Sequence, residues 1–193
     1  MTHRDRYSSF ADLTRFERSG IDYRGTVVRR TSDIAIIAPH GGAIETRTGD
    51  IARAIAGEDF NLYLFEGIKK MGNYAALHIT SHRFDDPSCL ALIRNCSTVI
   101  AVHGCDADDE RVLLGGLESV LKLRVAESLR DAGLRVETDG HAFPGTDPNN
   151  ICNRGGSGRG IQLEVSGPLR GSNNEPALTQ AVRAALLPPQ RKA

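Results

Sequence analysis

Two β-branched apolar runs in this chain end in the same way, and that shared ending constrains the fold most. The first is Asp33-Ile-Ala-Ile-Ile-Ala-Pro-His-Gly-Gly-Ala-Ile-Glu45. Ile34 to Ala38 reads as a buried strand, stopped at Pro39, which cannot donate to a ladder. His40, two glycines and Glu45 follow, with Glu45 opening a helix. The second run, Ser97-Thr-Val-Ile-Ala-Val-His-Gly104, repeats the grammar: strand, histidine, glycine. In open α/β sheets, ligands bind outside the carboxyl ends of the strands. Two His-Gly strand ends are therefore expected to face one crevice. Either histidine alone could simply cap its strand. Together with Glu45 they form a set able to ligate a metal, with imidazole nitrogen and carboxylate oxygen about 2.0–2.2 Å from a zinc ion.

The rest of the chain alternates strands with helices. Strands are expected at Tyr23 to Arg30 (an edge), Asn61 to Phe65, Ala75 to Thr80, Val112 to Leu114, Leu134 to Glu137 and Gly160 to Val165. Apolar spacing predicts helices from Ser9 to Arg18, Glu45 to Ile55, Pro87 to Arg94, Leu117 to Ala132 and Pro176 to Leu187. Ser8 or Ser9 suits the first N-cap, Gly20, Gly57 and Gly133 serve as stops, and Pro188-Pro189 ends the last helix. The longest helix places Leu117, Val120, Leu121, Val125 and Leu129 on one face. The fold class that follows is a single-domain, three-layer α/β sandwich with a mixed β-sheet flanked by helices. The irregular stretch from Asp139 to Gly158 is long for a compact domain and reads as a functional loop.

With 24 basic and 24 acidic residues among 193, the chain lacks the basic surface of a general nucleic-acid binder. A local basic cleft for an acidic substrate remains compatible with that balance. Aromatics are few and tryptophan is absent, so no stacking platform is evident. No apolar segment approaches the roughly 18–20 residues of a membrane span. Met1 to Tyr7 lacks the apolar h-region of a signal peptide, which points to a cytoplasmic protein or one released on lysis. Cys89, Cys96, Cys105 and Cys152 form no Cys-x-x-Cys pair. They read as free thiols, Cys89 and Cys96 lying two turns apart on one helix, with a metal or catalytic role open for Cys105 or Cys152. A monomer is expected.

Glu164 lies in the strand Ile161-Gln-Leu-Glu-Val165, between Leu163 and Val165. A carboxylate there either faces solvent on an edge strand or is buried for use, and burial without use is expensive. Beside a metal-bound water it would serve as general base and then return the proton to a leaving amine. Arg154, in Asn149-Asn-Ile-Cys-Asn-Arg-Gly-Gly156, offers a guanidinium fork to a substrate carboxylate or an oxyanion. Arg159 and Arg170 are weaker candidates of the same kind. His78 sits within an expected strand, as a core histidine; His82 could line the cleft and would replace His103 as third ligand if needed; His141 lies in the long loop. No Gly-x-x-x-x-Gly-Lys-Ser/Thr phosphate loop or Gly-x-Ser-x-Gly nucleophile elbow is present. Gly155-Gly-Ser-Gly-Arg-Gly160 precedes a strand and is a weak nucleotide signal.

Ala38-Pro-His-Gly-Gly-Ala-Ile-Glu45, Leu77-His-Ile-Thr-Ser81, Ala101-Val-His-Gly104, Asn150-Ile-Cys-Asn-Arg154 and Gly160-Ile-Gln-Leu-Glu164 resemble the phage-type poly-γ-glutamate hydrolase family. Tyr7-Ser-Ser-Phe10 and Gly20-Ile-Asp-Tyr23 fit it too, so the likeness runs in order through nearly the whole chain. The resemblance implies a zinc peptidase with a metallocarboxypeptidase-like fold that cuts γ-amide bonds of poly-γ-glutamate. It implies one zinc per chain on His40, Glu45 and His103, with Glu164 as catalytic carboxylate. Asn153 and Arg154 would bind substrate, as an Asn-Arg pair does in metallocarboxypeptidases, with His82 nearby. The implied partner is an acidic polymer or γ-glutamyl peptide. Two other classes share these residues: a zinc-dependent deacylase of small N-acyl amino acids, and a non-enzymatic binder of acidic polymer.

Overall fold

The computed structural model describes residues 5–187, so the Pro188-Pro189 stop and most of the segment read for an h-region lie outside it. Seven strands form one sheet: β1 (Tyr23–Val28), β2 (Ile34–Gly42), β3 (Asn61–Gly67), β4 (Thr98–Cys105), β5 (Val112–Gly115), β6 (Val136–Glu137) and β7 (Ile161–Ser166), in spatial order β1-β3-β2-β4-β7-β5-β6. The β3, β2, β4 and β7 neighbours are parallel, β1 is antiparallel to β3, and β5 is antiparallel to β7. The sheet is mixed, as expected.

The central strands are apolar on both faces because both are covered. Ile36, Ala38, Leu64, Val102 and Leu163 share a core with α2 (Thr48–Ala56), α5 (Ser119–Asp131) and α6 (Glu175–Leu186). Ala35, Ile37, Tyr63, Phe65, Val99 and Ala101 face the opposite core. That second core takes in Leu13 of α1 (Phe10–Leu13), Ala76 and Leu77 of α3 (Asn73–Leu77), Leu92 of α4 (Pro87–Ile93), and Ile151 of a short 3₁₀ helix, Ile151–Arg154. The two cores make the molecule a three-layer sandwich. Among the described residues no helix is long and apolar enough to cross a membrane.

Consecutive connections cross opposite faces of the sheet: α2 leads from β2 to β3 across one face, and α3 and α4 lead from β3 to β4 across the other. The strand order therefore reverses between β2 and β4, where α/β sheets open a crevice. Pairing of β2 with β4 ends at Ile37–Ala101, so His40 and His103 both lie beyond the last rung.

Several expectations are corrected. Strand β2 does not stop at Pro39; it runs to Gly42 through a register shift between Ala38 and Gly41, a bulge that absorbs the missing donor. Residues 75–80 are not a strand: 73–77 form α3, after Gly72 at φ 71°. Helix α2 starts at Thr48, not Glu45. Cys96 lies past the end of α4. Val120 is 78% exposed, so the α5 core face is carried by Val125, Ala126 and Leu129.

Candidate active site

The bulge at Pro39–His40 turns the end of β2 out of the sheet. Gly42 follows at φ 64°, and any side chain there would strike the Gly67 carbonyl, so only glycine lets the chain turn beside β3. The turn is closed by the Glu45 N–H donating to the His40 carbonyl at 2.9 Å. Thr48 Oγ1 donates to the carbonyls of Glu45 and His40. This folds Glu45 back over the histidine it follows by five residues.

Three of the sequence-selected side chains then meet. His40 Nδ1 lies 3.1 Å from His103 Nδ1 and 3.1 Å from Glu45 Oε1, and His103 Nδ1 is 3.9 Å from Glu45 Oε2. The outer nitrogens point away. His40 Nε2 donates to the Ile79 carbonyl at 2.8 Å, which fixes its tautomer and leaves Nδ1 facing inward. His103 Nε2 is 3.3 Å from Ser81 Oγ. One segment after α3 thus orients both imidazoles. Glu45 Oε2 accepts the Gly104 N–H at 2.7 Å.

Two inward Nδ1 atoms at this distance need a proton or a cation between them. Ligands about 2.0–2.1 Å from a tetrahedral zinc lie roughly 3.3 Å apart, close to the two 3.1 Å separations about His40 Nδ1, while the 3.9 Å from His103 to the other Glu45 oxygen is wider. The electrostatics agree. Burial opposes charge on His40, yet Glu45's carboxylate raises its pKa above the ordinary value. Burial and the charge of His40 push His103 down to about 3. Burial disfavours the Glu45 anion too, but His40 overrides it and holds the carboxyl at about 2.

The histidine that sequence reasoning placed in the core is a fourth member. His78 caps α3; its Nδ1 donates to Asp5 Oδ1 at 2.9 Å and its Nε2 lies 3.7 Å from Glu45 Oε1. Its ring lies tilted against that of His40, 4.2 Å between centroids. Burial and His40 hold it down at about 4, so it is neutral near pH 7. His40, Glu45 and His78 also form a group that could hold an ion. Asp5 was invisible as a site residue, being 73 positions from its partner.

Glu164 is not on an edge. Its strand lies between β4 and β5, and it pairs across the ladder with His103. Gln162 Nε2 donates to Glu164 Oε1 at 2.9 Å, and Asn150 Nδ2 donates to Gln162 Oε1 at 2.6 Å. Burial and the Glu45 charge raise the Glu164 pKa well above the usual carboxylate range, against Arg170 and Gln162, which lower it.

These groups line one cleft of about 980 Å³, walled by His82, by Arg170 and by residues 142–147 of the long loop. Arg154 does not line it; its guanidinium donates to the Phe84 carbonyl at 3.3 Å. Nor does Asn153, whose amide clips the loop by donating to the Gly145 and Asp147 carbonyls while its oxygen accepts Leu117 and Gly160 N–H groups. Every polar atom of that side chain is spent on structure. His82 is on the rim; His141 approaches the Leu114 carbonyl outside the cleft. All four cysteines are buried and free, and burial pushes Cys105 and Cys152 up to about 12, so both are thiols near neutrality.

The sequence model of the poly-gamma-glutamate hydrolase family matches residues 7–177. The chain belongs to the poly-γ-glutamate hydrolase family. It is 38% identical over 172 residues to the UPF0714 protein YndL of Bacillus subtilis (strain 168), a match covering 87% of this chain and 66% of YndL. The chain thus spans just under two thirds of that relative's length. A bacteriophage poly-gamma-glutamate hydrolase superposes with a TM-score of 0.91 at 29% identity, over 95% of this chain and 97% of that one. A zinc-free apo structure of YndL gives 0.88 at 31%, over 95% and 98%. A likeness of fold alone extends to an N-formylglutamate amidohydrolase of Ralstonia eutropha JMP134, with a TM-score of 0.56 at 13% identity, over 86% and 97%.

Proposed function

We propose that this member of the poly-γ-glutamate hydrolase family is a zinc-dependent amidase that cleaves the γ-glutamyl amide bonds of poly-γ-glutamate. The observation that carries this reading is the meeting of His40 Nδ1, His103 Nδ1 and the Glu45 carboxylate beside Glu164, at the carboxyl ends of β2 and β4. His40, His103 and Glu45 would hold one zinc ion per chain. When bound, that ion supplies Lewis-acid polarisation of the amide carbonyl and a water acidified toward neutrality.

The chain's own residues do the rest. Glu164 accepts the proton of the attacking water on its carboxylate and then delivers it to the leaving amine. Gln162, itself held by Asn150, fixes the orientation of the carboxylate. The carbonyl of Ile79 and the hydroxyl of Ser81 keep the two imidazoles aimed inward, a role that sustains metal affinity. His82 on the rim lies where an extended substrate would pass.

The cleft volume favours a polymer over a small N-acyl amino acid. About 980 Å³ lies at the upper end of the roughly 300–1,000 Å³ of small-molecule pockets, more than one acylated amino acid would fill. The test is size analysis of poly-γ-glutamate incubated with protein that has been stripped by chelator and then supplied with zinc. We expect stripping to abolish shortening of the polymer and zinc to restore it. Unchanged shortening by the metal-free protein would sink the mechanism. Preferential cleavage of small N-acyl amino acids would transfer the same chemistry to the deacylase reading.

A further inference from the structure

Two arginines line the cleft, and they differ in what they are doing. Arg47 is committed: it pairs with Glu175 and with Asp50. Arg170 is not. Among the described residues it makes one hydrogen bond, from Nη1 to the Thr46 carbonyl at 2.9 Å, and no ion pair. Its Nε is buried and has no partner. An orphaned donor on a charged side chain is costly, and native structures keep such groups where something else satisfies them.

The unused donors share one edge. With Nη1 engaged, Nε and Nη2 remain, and these two N–H groups form the side of the planar fork that matches the two oxygens of a carboxylate. The guanidinium lies flat against Gly104. A Cβ at that glycine would come within 2.4 Å of Nη1 and 2.6 Å of Cζ. Glycine follows His103 because the arginine occupies the space a side chain would take. Gly167, also on the cleft wall, adjoins Nη2, where a Cβ would come within 3.8 Å. The fork therefore stands one residue from His103 and against the Gly104 backbone whose N–H holds Glu45.

We propose that Arg170 is the carboxylate anchor of the cleft: its Nε–Nη2 edge takes the free α-carboxylate of the glutamyl residue at the scissile bond. This rests on the γ-glutamyl reading above and adds to it the group that tells a γ-linked glutamate from other acyl chains. Each repeat of the polymer carries that carboxylate beside the amide to be cut. Pairing it at Arg170 positions the amide and satisfies the orphaned Nε at once.

The experiment uses two synthetic γ-linked glutamate trimers, one with free α-carboxylates and one with every α-carboxylate replaced by a carboxamide. Zinc-loaded wild-type protein should favour the acid by roughly 10–100-fold in kcat/KM, the range of a charge-assisted bidentate contact. Arg170→Met should bring the two substrates to near parity, with a far larger loss on the acid than on the carboxamide. Arg170→Lys, which keeps the charge without the fork, should fall between, and it carries the test alone if Arg170→Met does not fold. Equal losses on both trimers would mean that Arg170 acts on Glu164 or on folding, and would overturn the proposal, as would an acid preference that survives both substitutions. Calorimetric binding of the same trimers separates this from the hydrolase reading. If wild-type protein cleaves neither trimer yet binds the acid in an Arg170-dependent way, the anchor stands and the amidase falls. If it binds both alike or neither, the anchor falls.

Discussion

The two His-Gly strand ends look alike in sequence and are built differently. At the end of β2 the chain bulges at Pro39, turns left-handed at Gly42 and folds Glu45 back onto His40. At the end of β4 the strand runs straight on to Cys105, in register with β7, so His103 faces Glu164 across the ladder. The glycines differ accordingly. Gly42 is needed for a backbone turn against Gly67, whereas Gly104 is needed for the room it gives Arg170. One end supplies a carboxylate to the proposed metal site; the other carries a histidine to the proposed base. A site of two halves results, with His40 drawn toward its charged form by Glu45 and His103 driven from it by burial and by His40.

The sharpest way to break this comparison is to remove one half. His103→Ala should abolish zinc binding and polymer cleavage, with a loss beyond the roughly 10–100-fold that outer partners of a metal site carry. His78→Ala should keep its zinc and lose activity only within that smaller range, because His78 Nδ1 is spent on Asp5 and only its Nε2 faces Glu45. Metal content of the purified variants decides between them. Zinc retained in His103→Ala but absent from His78→Ala would make His78 the third ligand and leave the β4 end as a mere wall.

Next in size is Glu164→Gln, which isolates the base from the metal. Zinc should stay bound while kcat falls about 10²–10⁴-fold, the contribution of a positioned general base. The same variant has a signature in the metal-free protein. A carboxyl whose folded pKa is raised favours folding fully while protonated, below its unfolded value near 4.5, and that contribution is lost as pH climbs toward the folded pKa. Glutamine cannot ionise. Metal-free Glu164→Gln should therefore match wild type near pH 4 and exceed it near pH 7 by on the order of 1–3 kcal/mol, the scale of a buried polar group poorly satisfied. Denaturant melts at the two pH values give the answer; a variant equally or less stable at pH 7 would mean that Glu164 sits comfortably ionised.

How far the sequence showed this arrangement depends on how local the cause is. The buried strands were legible, since Ile34 to Ala38 and Val99 to Val102 are apolar on both faces as only covered strands are, and Ile161, Leu163 and Val165 mark the apolar face of a strand whose other face carries Gln162 and Glu164. The strand-end histidines and Glu164 followed from them, because position at a carboxyl end is a property of the run itself. What was missed depends on long-range partners. Ala75 to Thr80 is a short apolar run that periodicity cannot assign, and packing of Ala76 and Leu77 against the second core made 73–77 a helix. That error hid His78, whose place is fixed by Asp5 far upstream. Arg154 drew notice for its glycine neighbours, and Arg170 drew little. The local setting of an arginine does not say that Asn153 will clip a loop or that Gly104 will make room for a guanidinium from another strand end.

The smallest effect probes the outer contacts of the two imidazoles. His40 Nε2 donates to the carbonyl of Ile79, a partner that no substitution removes, whereas His103 Nε2 meets only the Ser81 hydroxyl, at 3.3 Å. Ser81→Ala should thus loosen one histidine and not the other. We expect zinc affinity to drop about 10-fold, the low end for loss of an outer partner, because the contact is long and buried packing still restrains the ring. Cleavage at saturating zinc should barely change, since Ser81 acts through His103 and not through Glu164. Competition with a chelator of known affinity reads the shift. An unaltered affinity would show that the rotamer of His103 is set by the strand and its neighbours alone, so that the two halves of the site differ in route but not in how firmly each imidazole is held.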